Sequence, residues 1–230
     1  MAAGGDCLAD VGVLGGEPGV YGNVASDPTV SSLISLLGET ADLVEKAVGQ
    51  AMAAARAKVW GLAGDHAPHA NMSIKTPLVI DLDATLITAH TDKDQAAPTF
   101  KHGYGFHPLC AFADYGTPSL GEPVAMTLRP GNAGSNTVRD HIQVTSNALN
   151  ALPVAVSKKI LIRTDGAGGT QKYTKWLQHT GVQYSVGFKL PDNTPELYHL
   201  IPEIAWTCAL NAEAGPVSTL TSPSSPARPT

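Results

Sequence analysis

The sequence predicts an α/β protein built on one mixed sheet: three antiparallel strands, then parallel strands, with flanking helices and a small helical segment in front. Three observations predict it. Short runs of strand character lie at 78–86, 105–113, 123–129, 159–164 and 182–190. The first three are joined by connections suited to antiparallel hairpins, whereas the later ones are separated by segments of helical periodicity, as parallel crossovers require. No helical pattern directly follows the first strand, which argues against a doubly wound sheet.

Taken in order, residues 1–30 are rich in Gly and small residues, with turn signals at Gly15-Gly16, Glu17-Pro18 and Asp27-Pro28. A helix is expected from Ser31 through Leu37 and a second from Thr40 to about Trp60. In the second, Leu43, Ala47, Ala51, Ala54 and Lys58 make a mostly apolar stripe at helical spacing. Residues 64–76 are polar and read as a linker. Leu78–Leu86 is an apolar run interrupted by two aspartates and reads as a buried strand. Gly105–Ala113 and Pro123–Arg129 follow as strands around a Gly/Pro-rich turn at 116–123. Asn136–Leu152 reads as a helix with Asn136 as N-cap and Val138, Ile142, Thr145 and Leu149 on one face. Lys159–Thr164 is a strand that stops at Asp165, Thr170–Thr180 is a helix closed by Gly181, Val182–Leu190 is the fifth strand, and Asn193–Ile201 is a short helix. The organisation expected is therefore a helical segment and linker over 1–76, a core over 77–217, and a Ser/Pro/Thr-rich disordered tail over 218–230.

Composition narrows the function classes. In 230 residues, 43% are hydrophobic, enough to fill a core, and 15 basic against 20 acidic side chains give a net charge of −5. That balance argues against a non-specific nucleic-acid sleeve, though not against a nucleic-acid enzyme with an acidic site. The chain lacks an apolar run long enough to span a membrane and a visible signal peptide. Cys7, Cys110 and Cys208 are far apart and odd in number, which suits a reducing cytosol better than a disulfide framework.

Two acidic segments carry the chemistry. In Val79–Thr85 (VIDLDAT), strand alternation puts Asp81 and Asp83 on one face and Ile80 and Leu82 on the other. Two carboxylates on one face repel, so a metal cation is their natural partner; the plainer alternative is a strand end whose acids sit in solvent. Asp165 stands at the exit of the strand 159–164, before Gly166, Gly168 and Gly169. With the first and fourth strands adjacent at the sheet centre, Asp83 and Asp165 face each other and can share Mg²⁺ (or Mn²⁺). Two such ions about 4 Å apart clamp a phosphodiester, activating the attacking oxygen and stabilising the leaving one. Arg129 and Asn132 sit in a Gly-rich loop that could approach a phosphate, such as that of a nucleic-acid backbone, although such loops are usually just turns. Lys101, Lys158, Lys159, Arg163, Lys172 and Lys175 could form a further surface facing nucleic acid, or be simply solvated as basic residues usually are. His90, His102, His107 and His141 fit no metal-site spacing and read as structural or surface histidines.

The blocks Ile80–Leu86 (IDLDATL), Lys101–Leu109 (KHGYGFHPL), Leu128–Thr137 (LRPGNAGSNT) and Arg163–Gly168 (RTDGAG) resemble the catalytic region of DDE-type transposases from bacterial insertion sequences. Gly5–Leu8 (GDCL) and Ala25–Val30 (ASDPTV) resemble the segment that precedes it, and the similarity spans roughly residues 4 to 217. The resemblance implies a ribonuclease H-like core, a divalent metal, cleavage and joining of DNA at transposon ends, and a homodimer in the active assembly. It places the first catalytic aspartate on Asp83 and the second on Asp165; Asp81 precedes the motif. The family's third acid, a glutamate on a downstream helix, has no counterpart in context: Glu196, Glu203 and Glu213 lack the Tyr-Arg-Glu setting. The expectation is a truncated copy.

Two other readings remain. Val79–Thr88 (VIDLDATLIT) also resembles the opening motif of haloacid dehalogenase-like phosphatases, in which Asp81 would be nucleophile and Asp83 general acid. That fold needs a helix after the first strand and a later paired acid. The third reading is a DNA-binding remnant without turnover.

Overall fold

The computed structural model describes residues 10–116, 121–135, 137–153, 159–207 and 215. By its contacts the chain forms two compact units, Met1–Phe188 and Lys189–Thr230.

The first unit holds a five-stranded sheet of β1 (Leu78–Ala84), β5 (Leu109–Ala113), β6 (Glu122–Thr127), β7 (Ile160–Thr164) and β8 (Gln183–Val186), in the order β6-β5-β1-β7-β8. β6, β5 and β1 are antiparallel neighbours; β1, β7 and β8 run parallel. This is the strand sequence and sense expected, with the first and fourth main strands adjacent at the centre. The physical cause is visible in β1 and β7. Leu78, Ile80 and Leu82 alternate inward, as do Ile160, Ile162 and Thr164, and all six are buried. Under them lie α5 (Val138–Ala151) and α6 (Gln171–Thr180), with Val144, Ala148, Tyr173 and Leu177 fully enclosed. The opposite face of the same strands carries Asp81, Asp83 and Arg163.

Helix α6 is delimited as its sequence foretells. Thr170 caps it through a bond accepted from the Tyr173 amide, and Gly181 closes it at φ +79°, a left-handed position that suits glycine. The buried Tyr173 hydroxyl meets the Thr145 hydroxyl at 2.6 Å, joining α6 to α5, and burial pushes the phenol up to about 12 against the opposing hydrogen bond from Thr145. In α5 the enclosed side is His141, Val144, Thr145, Ala148 and Ala151, with Val138, Ile142 and Leu149 at its margin. Of the expected face, Thr145 lies at the centre of the core side, and Val138, Ile142 and Leu149 flank it. Thr137 occupies the N-cap position, and Asn136 lies outside the described residues, as do 117–120 and the tail 218–230.

The N-terminal segment is more helical than its glycines suggest. α1 (Val11–Gly15) and α2 (Pro18–Tyr21) occupy the stretch read as turns. α3 (Asp27–Gly38) starts at Asp27-Pro28, since Pro in the first helical turn fixes a helical φ and lacks an N–H that would be unpaired there anyway. α4 (Ala41–Ala63) presents a different face from the one expected: Leu43 is 70% exposed, and Arg56 and Trp60 are buried. The reason is a set of polar partners on the sheet side. Arg56 donates to Glu122, to the Ala151 carbonyl at 3.0 Å and to the Pro123 carbonyl at 3.1 Å; Trp60 Nε1 and the Tyr115 hydroxyl also donate to Glu122. Trp60 stacks on His69 with centroids 5.1 Å apart. Burial raises the Glu122 carboxyl, but hydrogen bonds from Tyr115, Arg56 and Trp60 outweigh it and hold the group below its ordinary range.

A second, three-stranded antiparallel sheet fills the connection between β1 and β5. It comprises β2 (Ile87–Thr88), β3 (Ala97–Pro98) and β4 (Tyr104–Phe106), in the order β2-β4-β3. The single strand expected over 105–113 is thus two, broken at His107-Pro108, where proline has no N–H to extend a ladder. Val182–Leu190 likewise yields only four strand residues. The loop 129–131 is stitched to the small sheet. The His107 amide donates to the Arg129 carbonyl at 3.1 Å, Phe106 bridges Pro130, and the Gly131 amide reaches the Gln95 carbonyl at 3.3 Å. A Cβ on Gly131 would stand 2.2 Å from the Ala97 carbonyl oxygen and 2.4 Å from that of Gly105. Gly131→Ala is therefore expected to cost about 2–3 kcal/mol or to prevent folding, because backbone, not a flexible side chain, must move. Urea unfolding checks it, and a midpoint equal to wild type would contradict this packing.

The second unit holds α7 (Thr194–Leu197) followed by 3₁₀ turns at Tyr198–Leu200 and Glu203–Ala205, with Tyr198 and Trp206 in edge contact. It corresponds to the short helix expected at 193–201.

Candidate active site

The β1–β7 register decides the geometry. Asp81 pairs with Arg163 and Leu82 with Thr164, so the next position brings Asp83 level with Asp165 where β7 ends. Both are exposed at the strands' carboxyl ends. A cleft of about 660 Å³ is lined by Asp81, Asp83, Phe112, Arg163 and Asp165, among others. A smaller cavity of about 150 Å³ adjoins Asp83 and Asp165 and is walled by Phe100, His107, Ser135 and His141.

Each of the two aspartates is held by its own turn. Asp83 Oδ1 accepts from the Ala84 amide at 2.8 Å, and Asp165 Oδ1 from the Ala167 amide at 2.9 Å. The second oxygen of each has no hydrogen-bond partner among the described residues. This donor set, two hard carboxylate oxygens on adjacent strand ends with open space before them, fits a divalent cation such as Mg²⁺ or Mn²⁺. No group of three or more His, Cys, Asp or Glu arranged to hold a metal occurs among the described residues.

Asp81 is differently placed. Both its oxygens receive the Arg163 guanidinium, through Nε and through Nη2 at 2.6 Å, and Arg163 Nη2 also reaches Asp114 at 2.8 Å. Hydrogen bonding to Asp81 drives the guanidinium well above its ordinary value, with Asp114 adding to it against desolvation. Sequence pattern groups Arg163 with the exposed lysines, and nothing in it singles out Asp114. The signal for the pair was present, since adjacent first and fourth strands place Arg163 opposite Asp81. The phosphatase alternative loses its footing here, because Asp81 is engaged by Arg163 and a small sheet, not a helix, follows β1.

Arg129 is 2% exposed. Its Nε donates to the His107 carbonyl at 2.9 Å and its Nη1 to the Gly134 carbonyl at 3.3 Å and Thr137 Oγ1 at 3.0 Å, with Asp140 at 3.5 Å. The expected phosphate-facing guanidinium is turned inward, because these acceptors surround it; it holds the loop. Asn132 is exposed on that loop. Lys101, Lys172 and Lys175 are exposed, and Lys158 lies outside the described residues.

The histidines divide. His90 and His102 are exposed. His107 and His141 are buried in the cavity wall, their Nδ1 atoms on the Ala133 and Thr137 carbonyls at 3.2 and 2.9 Å. Cys110 lies opposite Asp83 in the β1–β5 register, and burial, reinforced by the Asp83 charge and opposed by Arg129, raises its thiol. No helix among the described residues is long and apolar enough to cross a membrane.

A family model described as transposase DDE domain group 1 matches residues 1–218. No curated protein matches the chain.

Proposed function

The chain belongs to the transposase DDE domain group 1 family, and from that premise we propose that Asp83 and Asp165 hold Mg²⁺ or Mn²⁺ for cleavage and joining of DNA strands at transposon ends. Transposases of this family act in DNA transposition, and the family generally uses divalent metal ions. The observation that carries the reading to these two residues is their position at the same level on parallel neighbours β1 and β7, each with one unpartnered carboxylate oxygen. The sheet order β6-β5-β1-β7-β8 is compatible with a ribonuclease H-like core, the scaffold on which this chemistry is expected.

When bound, the cation supplies Lewis-acid activation of the phosphodiester and charge stabilisation of the departing oxygen. The chain's own residues do the rest. Asp83 and Asp165 orient through the amides of their own turns. The Arg129-held loop presents Asn132 for contact with the DNA backbone, while Arg129 acts through that loop. Pairing of two DNA ends would bring two copies of the chain together as a homodimer.

The test is incubation of the full chain with supercoiled plasmid in Mg²⁺, in Mn²⁺ and in EDTA. Nicked circles in either metal and none in EDTA are expected. Retention of DNA without nicking in either metal would overturn cleavage in favour of a DNA-binding role without turnover.

A further inference from the structure

Four carboxylates, those of Asp81, Asp83, Asp114 and Asp165, lie at the central strands and their ends, and a hard cation accepts oxygen from any of them. Their partners set them apart. Both oxygens of Asp81 are on Arg163, and Asp114 gives one oxygen to Arg163 Nη2 and the other to the Gly116 amide at 2.7 Å. Asp83 and Asp165 keep one oxygen each.

We propose that Arg163 is a positioning residue that selects the metal-binding pair: it holds Asp81 and Asp114 as its own partners and leaves Asp83 and Asp165 open to a divalent cation. The inference rests on the assignment of Asp83 and Asp165 above. A guanidinium suits this task because it is permanently charged and its planar fork takes both oxygens of one carboxylate while a nitrogen reaches a second. The clamp takes one member from β1, one from β7 and one from the residue that follows β5, so it also fixes β7 two residues before Asp165. Its three side chains are 27–50% exposed. Surface pairs of this kind add little to folding, so the effect of removing Arg163 falls on cation binding rather than on stability.

The experiment is titration of the full chain with Mn²⁺, free ion being followed by electron paramagnetic resonance, with thermal melting of each variant alongside. Wild type, Arg163→Gln, Arg163→Lys, Asp81→Asn, Asp83→Asn and the double variant Arg163→Gln with Asp81→Asn are compared. Arg163→Gln is expected to gain an additional class of Mn²⁺ site that disappears in the double variant, while Arg163→Lys, which keeps the charge, stays close to wild type. Asp81→Asn alone should change the wild-type affinity by less than about threefold, since Asp114 still holds the half-exposed Arg163 and the carboxylates of Asp83 and Asp165 are untouched. Unchanged Mn²⁺ stoichiometry in a folded Arg163→Gln, or loss of the wild-type site in Asp81→Asn, would overturn the proposal. Mn²⁺ bound by Arg163→Gln through Asp81 but not by wild type would retain Arg163's hold on Asp81 and overturn the Asp83–Asp165 assignment instead.

Discussion

Asp83→Asn and Asp165→Asn are each expected to abolish Mn²⁺ binding measured by calorimetry and to lower metal-dependent DNA nicking by about 10³-fold or more. Asparagine keeps the acceptor oxygen that receives the Ala84 or Ala167 amide, so the local turns survive. What is lost is the negative charge facing the cleft. Asp81→Asn is expected to cost nicking less than about tenfold, because both oxygens of its carboxylate are taken by Arg163 and neither is open to a cation. The reverse ranking, with Asp81→Asn inactive and Asp83→Asn active, would sink this assignment of roles and revive a nucleophilic aspartate at position 81.

A loss of stability comparable to that of Gly131→Ala follows Glu122→Ala. Its carboxylate receives Arg56, Trp60 and Tyr115 together, and the Arg56 side chain is only 2% exposed. Removing one partner of a buried pair leaves an uncompensated charge, a change of about 3–5 kcal/mol when both partners are enclosed. Glu122 is 29% exposed, so water relieves part of the penalty and about 2–3 kcal/mol is expected. Urea unfolding at neutral pH measures it. Adding Arg56→Met should recover part of the loss, because the stranded guanidinium is then gone. The same site sets a pH dependence. Glu122 is held below its ordinary value in the folded protein, so its contribution is complete above the ordinary carboxylate range. It is lost as pH falls through the depressed folded value. Glu122→Gln should flatten this acid limb, and an unaltered limb would show that other carboxylates govern it. Tyr115, raised to about 12 chiefly by burial and then by its bond to Glu122, stays a donor throughout that range.

The most legible part of the sequence was the pair of central strands. Alternation in VIDLDA fixed which side of β1 is apolar, and the helices between later strands dictated parallel pairing. Together these place Asp83 beside Asp165. The ends of α6 were equally local, since a Thr cap and a left-handed Gly act within one turn. The reading of α4 went astray because helical periodicity assumes that charge faces water. Arg56 does not, for Glu122 and two backbone carbonyls wait on the other side. Arg129 is the same case at the site: its Gly-rich setting suggests a phosphate, but Gly131 is there to let three backbone segments touch.

By itself, then, the sequence determined the strand order and the family resemblance and singled out Asp83 and Asp165 as candidates, because alternation, crossover length and short motifs are properties of neighbours along the chain. Tertiary structure alone decided which charges are free. Asp81 and Asp83 are two residues apart on one face of one strand and chemically identical. In the folded chain the Arg163 guanidinium, joined by Asp114, takes both oxygens of Asp81, while Asp83 and Asp165 keep one oxygen each. Long-range pairing sets the partner of a charge, and the partner sets whether that charge is spent on the fold or left for a ligand.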